Sequence, residues 1–152
     1  MMNIGSLKLD NEKITKKIGE KLYKICKMGD FFAVHGSLGA GKTTLIRYFI
    51  NKGLNKTTYI PSPSYNLYFT YKTNKSEIFH FDAWRLNDQE EFLNLGLLEV
   101  YSRSILLVEW ANKIKGFLPK NRLDINIFFH RENRILSFKG NAEWKKRLSG
   151  LL

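Results

Sequence analysis

Gly36-Ser37-Leu38-Gly39-Ala40-Gly41-Lys42-Thr43, followed by Thr44, satisfies the pattern G-x-x-x-x-G-K-[ST] at every fixed position. The glycines let the backbone curl until successive N–H groups point inward, which makes a concave anion site. Candidate phosphate contacts are therefore the backbone of Gly36, Leu38, Gly39, Ala40, Gly41, Lys42, Thr43 and Thr44. Lys42 is placed to reach terminal phosphates, and the Thr43 hydroxyl to bind Mg²⁺. The flanks agree. Asp30-Phe31-Phe32-Ala33-Val34-His35 reads as a strand, and Thr44-Leu45-Ile46-Arg47-Tyr48-Phe49-Ile50 as a helix whose N-terminus favours negative charge.

Working outward, residues 10–28 carry Ile14, Ile18, Leu22, Ile25 and Cys26 at helical spacing, with Asp10 or Asn11 as N-cap and Gly29 as stop. After the P-loop helix, which the pattern ends near Gly53, Pro61-Ser62-Pro63-Ser64 must be extended or turned. Its hydroxyls make Ser62 and Ser64 candidates for a switch that senses the terminal phosphate and metal. Alternation predicts strands over Tyr65 to Lys72 and over Glu77 to Asp82. Asp88-Gln89-Glu90-Glu91 reads as a helix start, with a break at Gly96. Ser104 to Glu109 is a continuous apolar run closed by a carboxylate, the pattern of a buried parallel strand. Leu123 to Phe129 and Arg134 to Phe138 pair as a hairpin across His130 to Asn133, and residues 141–150 suit a short helix. Together these predict one α/β P-loop domain over residues 1–152. Its mixed parallel and antiparallel sheet is flanked by helices and closed by a C-terminal hairpin.

Asp82 and Glu109 each end an apolar run, at the sheet edge where ligands bind in open α/β folds. Both are candidate catalytic carboxylates beside Lys42, and Glu109 with Thr43 is the candidate metal pair. Otherwise each is a strand-end acid that caps a helix or pairs with a cation. His80, two residues before Asp82, reads as a packed, hydrogen-bonded histidine. Arg85 suits a phosphate or carboxylate partner, or a solvated surface. Trp110 is either core or an aromatic at a partner or nucleotide surface.

The chain has 152 residues, 43% hydrophobic and 26% charged, which is ordinary for a soluble globule. No apolar run is long enough to span a bilayer, and the N-terminus lacks a signal core, so a cytoplasmic protein is expected. Cys26 is the single cysteine, so it has no disulfide partner within the chain, and it reads as a small buried hydrophobe. The net charge of +11 suits a polyanionic partner. Along the sequence, however, the lysines are scattered, as an AT-rich coding sequence also produces, so charge alone does not decide function.

The combined motifs resemble the TsaE (YjeE) family, small P-loop ATPases of bacterial tRNA threonylcarbamoyladenosine synthesis. The resemblance rests on Gly36 to Thr44, on Ser62-Pro63-Ser64-Tyr65-Asn66-Leu67, and on His80-Phe81-Asp82-Ala83-Trp84-Arg85-Leu86. It continues through Glu91 to Gly96 and Leu107-Val108-Glu109-Trp110-Ala111. It implies ATP and Mg²⁺ as cofactors, with Thr43 and Glu109 associated with the metal and Asp82 needed for activity. It also implies Thr15 and Arg131 near the nucleotide. TsaD and TsaB homologues are the implied partners, with tRNA engaged indirectly and weak ATPase activity when the protein is alone. Ser37 replaces an acidic residue of the family, Ser64 keeps the hydroxyl of a threonine, and His130 stands in for a glycine before Arg131. Alternatives are a P-loop small-molecule kinase and a nucleotide-binding scaffold without hydrolysis.

Overall fold

A computed structural model describes residues 1–152. Its centre is a seven-stranded sheet of order β1-β7-β6-β2-β5-β4-β3. The strands are β1 (Met2–Leu9), β2 (Phe31–His35), β3 (Tyr68–Lys72), β4 (Glu77–Asp82), β5 (Ser104–Glu109), β6 (Leu123–His130) and β7 (Asn133–Gly140). The helices are α1 (Glu12–Ile25), α2 (Lys42–Leu54), α3 (Glu90–Asn94) and α4 (Ala142–Leu148). Two 3-10 segments, Leu97–Val100 and Ala111–Phe117, complete the framework. No helix is long and apolar enough to cross a membrane.

Strands β4, β5, β2 and β6 run parallel; β3 pairs antiparallel with β4 at one edge, and at the other β7 pairs antiparallel with β6 and β1 antiparallel with β7. Side chains alternate across each strand, so the two faces build separate cores. On one face Phe32, Val34, Ile105 and Leu107 pack against Ile18, Leu22, Ile46, Phe49 and Trp144 from α1, α2 and α4. On the other Phe31, Ala33, Phe81, Leu106 and Val108 meet Phe92, Leu97 and Ile114. The same parity puts His80, Asp82 and Glu109 on the α2 face.

Several local expectations shift. Helix α1 is N-capped by the Asn11 side chain, which accepts from the Ile14 N–H at 3.1 Å. It stops at Ile25 rather than at Gly29: Cys26 turns to an extended conformation (ψ 159°), and Lys75 caps the freed carbonyls. The Lys75 ammonium donates to the carbonyls of Tyr23, Lys24 and Cys26 at 2.9, 2.7 and 2.7 Å. Strand β3 begins at Tyr68, not Tyr65, since Leu67 takes a left-handed φ of 68°. The N-terminal strand β1 was not legible, because Met2 to Leu9 lacks clean alternation, and pairing with β7 creates it. Cys26 is buried, and burial pushes its thiol up to about 12.

Candidate functional site

The P-loop links the end of β2 to the start of α2. Gly36 sits at φ 149°, where an added Cβ would lie 2.4 Å from the Ile127 carbonyl oxygen of β6. Only glycine allows the loop to lie this close to the sheet. Gly41, at φ 106°, precedes the first residue of α2. Here the polypeptide turns so that the first N–H groups of the helix face the loop's concave side. Ala40 is buried behind the loop, while Leu38 forms its lip and is 78% exposed.

A cleft of about 430 Å³ opens above this loop. Its floor is Gly39, Gly41, Lys42, Thr43 and Thr44, and its opposite wall carries Ser62, Ser64, Asp82 and Glu109. Asp82 and Glu109 are register partners on the parallel strands β4 and β5, so both carboxylates stand side by side on the α2 face. They are only 3% and 2% exposed. The Thr43 hydroxyl donates to the Glu109 carboxylate, 3.0 Å from each oxygen. Behind it, the fully buried His80 places Nε2 2.8 Å from Glu109 Oε1. Glu109 is thus fixed from two sides by residues of α2 and β4.

Asp82 is fixed by the Pro-stiffened loop. Ser64 donates to its Oδ2 at 2.9 Å, and the Trp84 backbone N–H donates to Oδ1 at 2.9 Å. Ser62 and Ser64 hydroxyls lie 3.0 Å apart, which extends the chain to the loop's outer turn. Burial raises the Asp82 carboxyl above the usual aspartate range, and the neighbouring Glu109 charge adds to that; the hydrogen bonds from Trp84 and Ser64 oppose it.

The Lys42 ammonium donates to the carbonyls of Gly36 and Ser37 at 2.8 and 2.9 Å and lies 4.4 Å from the centre of the Trp110 ring. Burial lowers its pKa, and the charges of Glu109 and Asp82 hold it back up. A desolvated ammonium of this kind gains most from a phosphate. Trp110 is half-buried, takes a left-handed φ of 55°, and packs on Trp84 with ring centroids 4.4 Å apart. It therefore lines the cleft while also packing against the core of the other sheet face.

Arg85 also lines the cleft, with its guanidinium 4.1 Å from the Tyr65 ring centre. Thr15 and Arg131 do not line it. Thr15 is buried on α1, and Arg131 is exposed at the β6–β7 turn. The left-handed residue of that turn is Arg131 itself, at φ 56°, so His130 is spared the conformation its replacement of glycine made costly. Arg134, three residues on, lines the cleft instead, and its Nη1 donates to the Ala40 carbonyl at 3.3 Å. Nothing local in the sequence marks Arg134; it arrives because β7 folds back along β6.

The groups around Thr43 offer oxygen donors only. No three His, Cys, Asp or Glu side chains gather to hold a metal by themselves. One hydroxyl and two carboxylates suit Mg²⁺, which takes its remaining ligands from water and substrate phosphates.

Comparison with known proteins points one way. A family model described as "Threonylcarbamoyl adenosine biosynthesis protein TsaE" matches residues 9–136. A curated relative from Rickettsia felis, named tRNA threonylcarbamoyladenosine biosynthesis protein TsaE, is 38% identical over 128 residues, 84% of this chain and 75% of that protein. The Bacillus subtilis protein of the same name is 36% identical over 118 residues, 77% of this chain and 73% of its own. The crystal structure of Bacillus subtilis YdiB superposes with a TM-score of 0.75 at 27% identity, covering 99% of this chain and 95% of the other.

Proposed function

The chain belongs to the TsaE family of tRNA threonylcarbamoyladenosine biosynthesis, and on that premise we propose that it binds ATP with Mg²⁺ at the P-loop and hydrolyses it. The energy drives the cycle of a cytoplasmic assembly of TsaD and TsaB homologues, and the chain does not modify tRNA itself. The observation that carries this reading is the contact of the Thr43 hydroxyl with the strand-end carboxylate of Glu109, directly behind Lys42.

Each group has a distinct task. The P-loop N–H groups and Lys42 hold the phosphate chain, and Lys42 must leave the Gly36 and Ser37 carbonyls to do so. Thr43 and Glu109 would hold Mg²⁺, which neutralises phosphate charge and so favours attack at the terminal phosphorus. The hydrogen bond to His80 restrains the Glu109 carboxylate from behind, which limits how far it can turn. Asp82 presents a carboxylate with a raised proton affinity where an attacking water needs an acceptor. Because Ser64 holds Asp82, movement of the loop of residues 61–64 alters the carboxylate's position. That contact supports a switch role for Ser62 and Ser64.

The experiment is ATP turnover with and without TsaD, TsaB and tRNA, alongside nucleotide binding. Lys42→Ala is expected to abolish binding, whereas Glu109→Ala and Asp82→Ala keep binding and lose turnover. ADP formation without release of free phosphate, independent of the partners and dependent on a small hydroxyl compound that becomes phosphorylated, refutes the reading in favour of a kinase. Intact tRNA modification with Lys42→Ala and Glu109→Ala refutes it in favour of a scaffold.

A further inference from the structure

Part of the basic charge that looks scattered along the sequence is gathered by the fold: eight of the eighteen lysines lie on three helices of one layer, apart from Lys42 of the P-loop. Helices α1, α2 and α4 cover the same sheet face. Setting aside Lys42 of the P-loop, they carry ten lysines or arginines against three glutamates, a surplus of seven in a chain of net charge +11. On the opposite face, α3 and the two 3-10 segments carry two lysines against three glutamates. Of the ten cations on the basic layer only Arg147 is ion-paired, and Lys27, just past α1, pairs with Glu143. The ammonium groups of Lys13, Lys16, Lys17, Lys24, Lys52 and Lys56 have no partner.

Three of these converge. Lys16, Lys52 and Lys56 line a groove of about 280 Å³ between α1 and the C-terminal end of α2, together with the amide of Asn51 and the single carboxylate of Glu20. The layer offers charge without apolar anchors, for none of the large exposed hydrophobic side chains falls on α1, α2 or α4. Protein interfaces centre on aromatic and apolar residues and are depleted in lysine, and membrane-surface helices need an apolar face. Unpaired lysines on a polar surface suit a regularly charged phosphate backbone.

We propose that the α1–α2–α4 layer, centred on Lys16, Lys52 and Lys56, binds the phosphate backbone of RNA directly. The choice of RNA among polyanions rests on the family's place in tRNA modification; the surface itself is independent of the nucleotide cleft. Contacts of this kind position RNA without reading its sequence.

The test measures polarisation of fluorescein-labelled, transcribed tRNA across a KCl series, with wild type, K16Q/K52Q/K56Q and Lys42→Ala. The wild type is expected to bind with affinity that falls as salt rises. The triple variant should flatten the slope of log K against log[KCl] by roughly two to three, about 0.7–0.9 for each phosphate no longer neutralised. ATP binding by the triple variant should match wild type, and RNA binding should survive Lys42→Ala, which separates this proposal from the nucleotide reading. An unchanged slope, or no RNA binding by wild type at low salt, overturns it. So does RNA binding abolished only by Lys42→Ala, or polyglutamate bound in place of RNA, which would assign the layer to an acidic protein.

Discussion

Removing His80 is the sharpest probe of how the site is held. Its imidazole is fully buried, with Nε2 2.8 Å from Glu109 Oε1, and Glu109 is itself only 2% exposed. His80→Ala removes a hydrogen bond to a charged group, about 1.5–3 kcal/mol, and leaves a side-chain-sized cavity of roughly 2 kcal/mol or more. The expected loss is therefore about 4 kcal/mol, or roughly 8–16 °C in Tm for a chain of this size. Equilibrium denaturation of His80→Ala, Glu109→Ala and the double variant separates the two contributions. The cavity cost should persist without Glu109, while the hydrogen-bond cost should vanish, so the double-mutant cycle should return a coupling of about 1.5–3 kcal/mol. A coupling below about 0.5 kcal/mol would mean that His80 merely fills space, and Glu109 is then aimed by Thr43 alone.

Three further outcomes follow from the same geometry. Because Asp82 has a raised carboxyl pKa, the cost of ionising it is absent below the ordinary value of 3.8 and grows as pH rises through the folded value. Asp82→Asn should therefore melt above wild type at neutral pH, lose that advantage below about 3.8, and lose turnover; equal melting at both pH values contradicts this. Lys75→Met keeps the aliphatic stem but withdraws a cation from three carbonyls at the end of α1. Since the side chain is exposed, the loss should be about 1–2 kcal/mol by urea denaturation. Gly36→Ala puts a Cβ against the Ile127 carbonyl, and relief of that clash must move the loop, so nucleotide affinity measured by calorimetry should fall about tenfold or more.

The loop of residues 36–43, leading from β2 into α2, was legible in the sequence because its chemistry is local. Glycines at Gly36 and Gly41, the lysine and the hydroxyl lie within eight residues, and each meets a steric or electrostatic demand of the loop itself. Asp82 and Glu109 were legible for a related reason. A carboxylate that closes a buried apolar strand must emerge at the sheet edge, whatever the partners of that strand. Residues whose place depends on pairing were not legible. Arg134 lines the cleft because of the register of β7 against β6, which no local feature of the sequence marks.

By itself, then, the sequence determined the α/β class, the glycine-rich loop between β2 and α2, and the strand-end positions of Asp82 and Glu109, since periodicity and short-range sterics act within a few residues. Only the tertiary structure decided that His80 grips Glu109, that Ser64 grips Asp82, and that Trp110 faces Lys42. It also decided that β1 exists as a strand and that the basic helices α1, α2 and α4 share one face. Those facts depend on which strands lie side by side and which helices share a layer, and burial of the two cores selects both across the whole chain.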